Sequence, residues 1–196
     1  MNKTTDFIAK SILSGVLIAF GCISYITIEN HVLGAFIFSL GLLTVILQKA
    51  LLYTGKVGYL ELTARHILTY IVPILLLNLV AIWVTCWAFA GFSGIELDTA
   101  ALIAKKQQEL WHEALLRSIG CGAMMYIAVE GFKRYRNPLC VVLPVMCFIL
   151  CGFEHCIADF GYMGMNGTLW VPQLPVWIVG NAIGSLIIRH LASLEE

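Results

Sequence analysis

The sequence predicts an all-α bundle of six transmembrane helices, built as an inverted three-plus-three repeat whose second and fifth helices are broken. Three observations lead there. The 196 residues are 60% hydrophobic and only 12% charged, with a mean hydropathy of +0.87; a soluble domain is closer to 45–50% apolar and about 25% charged. Several apolar runs reach the roughly 18 residues that suggest passage through a ~30 Å hydrocarbon core. Two of these runs, in corresponding places of the two halves, are interrupted by glycine and polar residues, a pairing that points to a substrate path near the midplane.

Residues 1–6 are a short polar start, and the first span runs from Phe7 to Ile28. Ser11, Ser14, Gly15 and Gly21 within it permit close helix contact. The run is too long for a signal-peptide core and lacks a small-x-small cleavage site before Glu29, so it is expected to stay in the mature chain. After a turn at Glu29-Asn30-His31, the second run, Val32 to Leu47, meets Gln48 and Lys49 and continues into Leu52-Tyr53-Thr54-Gly55-Lys56-Val57-Gly58. That composition predicts a helix that stops and re-forms, which is tolerated at depth only against protein or a watery cavity. Glu61 and Arg65 stand one helical turn apart and are expected to pair. The third span runs from His66 to about Phe92, with a kink at Pro73.

A loop, Ser93 to Asp98, leads to the amphipathic stretch Thr99 to Glu113, which carries Lys105, Lys106, Glu109 and His112. It reads as the protruding first turns of a fourth span that continues from about Ala114 to Phe132 and closes at Lys133-Arg134-Tyr135-Arg136-Asn137-Pro138. Leu139 to Phe160 is the fifth span, interrupted near Gly152. Trp170, Pro172, Pro175 and Trp177 lead into the sixth, which ends at Arg189. Repeat one thus covers about 7–92 and repeat two about 105–193 of a single channel domain, 1–196.

The basic linker after span four has no acid, whereas Lys105 and Lys106 are offset by Glu96, Asp98, Glu109 and Glu113. The positive-inside rule then places both termini and the Lys133 linker in the cytoplasm, as an even number of spans requires. A net charge of zero gives no reason to expect a nucleic-acid partner. Seven cysteines, scattered through apolar runs, do not make a disulfide framework. Cys147, Cys151 and Cys156 lack zinc-ligand spacing and read as small buried thiols.

The stretch Gly152-Phe153-Glu154-His155-Cys156-Ile157-Ala158-Asp159-Phe160 sets three ionisable residues in an otherwise apolar run. Such residues are expensive inside a membrane unless they face a cavity or a partner, so they mark a functional site. The halves echo each other here. Thr54 is followed downstream by Asn78-Leu79-Val80-Ala81, and His155 by Asn181-Ala182-Ile183-Gly184. His155 and Asp159, four apart, also leave open an intramembrane enzyme or metal site, but no third ligand stands at helical spacing. Neither a metal nor a cofactor is expected, and the chain is not expected to be an enzyme.

These segments together resemble the formate/nitrite transporter family of pentameric anion channels, across nearly the whole chain. Leu52-Tyr53-Thr54-Gly55 looks like the family's Leu-Phe-Thr loop in the broken second helix. Gly152-Phe153-Glu154-His155 with Ala158 looks like its Phe-Glu-His-x-x-Ala-Asn motif, and Gly180-Asn181-x-x-Gly184 like its sixth-helix Gly-Asn motif. The stretch from Glu113 to Val129, with Arg117 and Cys121, is similar to the fourth helix. The resemblance implies an aquaporin-like arrangement, with His155 as the central pore histidine, Thr54 as the hydroxyl opposite it and Asn181 as a hydrogen-bond partner of the histidine. It implies a cytoplasmic-side apolar constriction of Leu42, Leu52 and Tyr53, and a periplasmic-side one of Phe38 and Phe148. Lys106 falls where the family has a lysine near the start of the fourth helix. The chain departs from the pattern at Tyr53, Leu51, Lys49, Gly122 and Asp159, and it is short in the linkers after spans two and five.

A small anion cannot cross an apolar constriction bare, because desolvation costs several kcal/mol or more. Half-helix N-termini at the breaks can direct partial positive charge to the midplane, and an imidazole can hold or lend a proton near neutral pH. The expected function is passage of small monovalent anions or their weak acids (formate, nitrite or hydrosulfide), with protons, through a homo-pentamer in the inner or plasma membrane. Glu154 is expected to accept backbone N–H bonds of the broken loop. Lys106 either draws anions into the outer vestibule or belongs to a solvated face, and Lys49 is expected to snorkel toward the cytoplasm. A non-conducting structural or sensory relative is the alternative.

Overall fold

Length decides how these helices can be used. In the computed structural model, residues 2–193 are described, and every regular element among them is helical. The chain runs through α1 (Lys3–Thr27), α2 (His31–Leu47), α3 (Tyr53–Lys56), a 3-10 turn (Val57–Tyr59), α4 (Ala64–His66) and, after a π turn (Ile67–Ile71), α5 (Val72–Phe92). It continues with α6 (Ala100–Gln107), α7 (Trp111–Tyr135), α8 (Leu139–Leu150), α9 (Cys156–Met165) and α10 (Leu174–Ala192). Among the described residues, four helices are long and apolar enough to cross a membrane: α1, the Ala64–Phe92 rod containing α5, α7 and α10. At 1.5 Å per residue, α8 is only about 18 Å long and α9 about 15 Å. Neither reaches across a ~30 Å core alone, but together they do. The chain is a multi-span α-helical membrane bundle.

The local signals explain where the helices start. Asn2 caps α1 through Thr4 N at 3.3 Å, and Asn30 caps α2 through Val32 N and Leu33 N, both at 3.0 Å. The breaks turn on two residues with left-handed backbone, Lys49 at φ 53° and Gly152 at φ 68°. Helix α1 packs on α2 and α5, α7 packs on α8 and α10, α2 meets α8, and α5 meets α9. The interior between them is filled by Ile18, Phe38, Leu42, Leu52, Ile82, Met125, Phe148, Ile157 and Trp177, all buried.

Four expectations are corrected. The Thr99–Glu113 stretch is not the first turn of a continuous fourth span: α6 is separate, and Glu113 Oε2 accepts from Leu110 N at 3.2 Å to start α7 afresh. Glu61 does not pair with Arg65, because helix begins only at Ala64; its carboxylate meets His66 Nδ1 at 3.7 Å instead. Pro73 produces no simple bend. It follows the π turn and occupies the first turn of α5, where its missing N–H is tolerated. Cys147 and Cys151 are exposed on the outer face of α8, and only Cys22, Cys86, Cys121 and Cys156 are buried.

Candidate pore site

The second break brings a histidine to a hydroxyl across the bundle. His155 caps α9: its Nδ1 accepts from Ala158 N at 3.1 Å. Its Nε2 lies 2.9 Å from Thr54 Oγ1, one residue into α3. In a neutral ring the nitrogen that accepts a main-chain N–H has no proton, so Nε2 carries it and donates to Thr54. Thr54's own hydroxyl proton is left to point elsewhere. Both side chains are buried, at 2% and 1% exposure.

Asn181 does not bond the imidazole, as the resemblance implied. Its amide holds the chain on either side of it: Oδ1 accepts from Cys156 N at 3.0 Å, and Nδ2 donates to Glu154 O and Ser118 O, both at 2.8 Å. Asn78 does the same at the first break. Its Oδ1 accepts from Tyr53 N at 2.8 Å, and Nδ2 donates to Leu51 O at 2.9 Å and Ser11 O at 2.8 Å. The Leu51 and Glu154 carbonyls and the Tyr53 and Cys156 N–H groups lie where helix has stopped. An amide side chain, with donor and acceptor on one head, satisfies both kinds. The Ser11 and Ser118 carbonyls belong to the continuous helices α1 and α7 and anchor each clamp. Room for the clamps comes from glycine. A Cβ at Gly122 would run into the Asn181 carbonyl, and one at Gly15 would lie 2.8 Å from that of Asn78.

Apolar side chains stand close to His155 and, further along α2, at Leu42. Phe38 and Phe148 meet edge to face, with centroids 6.2 Å apart, and Phe148 stacks on the imidazole at 5.5 Å. One turn further along α2, Leu42 stands with Leu52 on the opposite side, both at most 2% exposed. Tyr53, expected in that constriction, is buried beside Leu52 in the chain. Its hydroxyl donates to Ile178 O of α10 at 3.0 Å and is committed there.

Two cavities flank these constrictions. The first, about 140 Å³, is bordered by Phe38, Phe148, His155, Lys106, Glu154 and Asp159. The second, about 430 Å³, is bordered by Leu42, Leu52, Lys49, Lys56, Lys133 and Arg136.

Lys106 is neither on a solvated face nor an unpaired attractor. At 8% exposure its ammonium pairs with Glu154 and, at 2.9 Å, with Asp159 Oδ1. Burial disfavours that charge, but the Asp159 and Glu154 carboxylates outweigh it and hold Lys106 above the ordinary lysine value. Glu154 therefore meets Lys106, while Asn181 takes over the loop hydrogen bonds expected of it. Asp159 Oδ2 is buried without a hydrogen-bond partner among the described residues. His155 and Asp159 form no dyad, since the ring bonds Thr54 and Ala158 while the carboxylate meets Lys106. Nearby, Glu109 pairs with Arg117 at 2.8 Å, and Trp177 Nε1 donates to Glu109 at 3.4 Å.

Sequence reasoning named the chemistry of this centre but missed the role of Asn78, which the echo between the halves had already exposed. It also missed Asp159 as the second carboxylate on Lys106. Helical spacing could not have found that contact, because the break separates Glu154 from the periodicity of α9.

The sequence profile described as formate/nitrite transporter matches residues 1–194. Among characterised proteins, the chain is 26% identical to the formate channel FocA of Haemophilus influenzae, over 80% of this chain and 65% of that one. It is 24% identical to the formate channel FocB of Escherichia coli, over 81% and 65%. It thus spans about 65% of the length of these relatives. Among solved structures, an FNT family ion channel superposes with a TM-score of 0.86 at 17% identity, covering 99% of this chain and 91% of the other. A pentameric formate channel with formate bound gives 0.77 at 19%, covering 100% and 97%. With the profile spanning nearly all of its residues and the same fold in solved channels, this chain belongs to the formate/nitrite transporter family.

Proposed function

We propose that the chain forms a pore for small monovalent anions or their conjugate weak acids, of the formate, nitrite and hydrosulfide class. One observation carries this reading: the buried Thr54–His155 pair lies with His155 on the border of one cavity, beside Phe38 and Phe148, while the second cavity is bordered by Leu42 and Leu52 and does not include the pair. A family whose members include formate channels supports it. The anion meets Thr54's free hydroxyl proton as its one uncommitted polar donor at the centre. The imidazole orients that hydroxyl. Because His155 Nδ1 holds the start of α9, a proton could enter the ring there only by releasing the cap. The neutral acid therefore forms in the wet cavity beside Lys106, before the Phe38–Phe148 constriction, where the charged form would be most penalised.

The architecture that goes with this reading is six spans in an inverted repeat, with repeat one at about 7–92 and repeat two at about 105–193 of one domain. The matched clamps support it: Ser11, Gly15, Leu51, Tyr53 and Asn78 in one half stand as Ser118, Gly122, Glu154, Cys156 and Asn181 in the other. Cross-half contacts support it too. Trp83 of α5 donates to Thr168 O beyond α9 at 2.9 Å, and Arg189 of α10 donates to Leu60 O beyond α3 at 3.1 Å. A homo-pentamer with both termini and the Lys133 linker in the cytoplasm completes the arrangement.

The test is stopped-flow entry of formate, nitrite, hydrosulfide, acetate and lactate into proteoliposomes at two pH values. The expected result is faster entry of the three smallest than of lactate. His155→Phe should slow formate entry with an unchanged pH profile, since the ring orients Thr54 without supplying the proton; a shifted pH profile would return the proton to His155. Absence of flux for the whole panel would leave the non-conducting relative as the reading.

A further inference from the structure

The two cavities differ sharply in charge. Around the first, the cations Lys105, Lys106 and Arg117 are matched by Glu109, Glu154 and Asp159. Around the second stand Lys49, Lys56, Lys133 and Arg136, and no acidic residue borders it. Lys133 is partly occupied, with its ammonium 3.3 Å from the Tyr59 ring centroid and 3.9 Å from Glu130. Lys49, Lys56 and Arg136 have no carboxylate within ion-pair distance among the described residues.

The backbone adds an independent observation. Among the described residues, two that are not glycine adopt left-handed φ, and they are Lys49 at 53° and Arg136 at 54°. Glycine or asparagine suits such positions better than a long side chain. Both positions instead carry cations, and both border the same cavity. The inner wall of that cavity is Leu42 and Leu52, which a multiply charged ion cannot pass.

We propose that this cavity is a binding site for a dissolved polyvalent oxyanion of the phosphate type, which competes with the small permeant anion for the approach to Leu42 and Leu52. Four cations around about 430 Å³ hold two negative charges far better than one. A monovalent anion is drawn in and moves on as its neutral acid. The polyvalent ion is drawn in more strongly and stays. The competition part of the proposal rests on the pore reading; the binding part does not. A lipid headgroup offers the same phosphate chemistry, and helix C-termini at Leu47 and Tyr135 offer the cations a purely structural use.

The experiment uses the full-length protein and the double variant Lys49→Asn/Arg136→Asn, in which asparagine tolerates the left-handed backbone. Inorganic phosphate is titrated calorimetrically into detergent-solubilised protein. In parallel, formate entry is followed at constant pH and ionic strength with phosphate on both faces of phosphatidylcholine vesicles, and again with phosphatidylglycerol included. Binding by the wild type, slowed formate entry in pure phosphatidylcholine, and about tenfold weaker binding and inhibition in the double variant are expected. Binding that weakens in the variant while neither protein conducts formate would uphold the site and sink the pore reading instead. Phosphate that fails to bind, or binds both proteins equally, would overturn the proposal. So would an effect confined to phosphatidylglycerol vesicles, which assigns the cations to lipid. A double variant that melts earlier yet binds phosphate like the wild type would assign them to the helix ends.

Discussion

His155 uses its two ring nitrogens for different purposes, and substitutions can separate them. Nδ1 caps α9 and Nε2 meets Thr54. Asparagine can accept the Ala158 N–H as a cap but cannot reach Thr54 in the same way. His155→Asn should therefore melt near the wild type in detergent, while His155→Ala should lose about 1 kcal/mol, the usual worth of a cap. Equal losses in a thermal-shift assay would refute the capping role. Asp159 offers a second test. Glu154 and Asp159 are two carboxylates on the one ammonium of Lys106. Although Lys105 and Arg117 balance the cavity as a whole, this buried trio bears an excess negative charge when all three are ionised. Asp159→Asn removes it, and formate entry should rise by about twofold to tenfold, most at low ionic strength. A slower or salt-insensitive variant would show that the carboxylate does not oppose the anion. Lys106→Met should fare far worse, because stripping a buried carboxylate pair of its cation costs about 3–5 kcal/mol; the readout is the yield of folded protein on gel filtration, with Glu154→Gln/Asp159→Asn added as the rescue.

At the scale of elements, the breaks depend on the two asparagines more than on the glycines beside them. Hydrogen bonds between intact membrane helices average only about 0.6 kcal/mol. Two partners of each asparagine here, Leu51 O and Tyr53 N or Glu154 O and Cys156 N, are main-chain groups at an interruption, and leaving each one bare costs about 1–3 kcal/mol. Asn181→Ala and Asn78→Ala are each expected to cost about 3 kcal/mol or more, with lowered melting temperatures of similar size. A large loss at one position and none at the other would contradict the equivalence of the two breaks. Both interruptions were legible in the sequence, because glycine and polar residues stand out against apolar runs. The separation of α6 from α7 was not. Its stop at Gln108 carries no proline or glycine, and the amphipathic stretch from Thr99 carries on through Glu113, so the two read as one helix. The hydrogen bond of Tyr53 was not legible either, because the family's loop has phenylalanine there, which has no hydrogen bond to seek. Tyrosine follows its hydroxyl to the Ile178 carbonyl.

Over the whole molecule, hydropathy alone made the membrane class legible, and order along the chain singled out the two stretches that hold Asn78 and Asn181. The charge pattern of the two cavities could not be read in advance, since it joins Lys49 and Lys56 to Lys133 and Arg136 across the bundle. Large apolar side chains remain exposed on several helices, Phe36 and Leu40 on α2 and Leu143 and Leu150 on α8 among them. A single copy would present all of these to lipid, and the pentamer reading buries part of them between copies. Light scattering of the detergent-solubilised protein should give five copies of the 21.7 kDa chain, and a monomer mass would remove that part of the proposal.

The paired amide clamps carry one more consequence. Each half-helix is pinned at its first peptide by a side chain anchored on a different rod, so neither can swing aside without tearing several interior bonds at once. Opening is left to the rings and methyl groups of Phe38, Phe148, Leu42 and Leu52, which turn about their own bonds. Such flips belong to the picosecond-to-nanosecond range when unhindered, far faster than the millisecond shifts of whole domains. On the pore reading, the doors move while the frame stands still, and electrical recordings from single pores should lack long silent intervals.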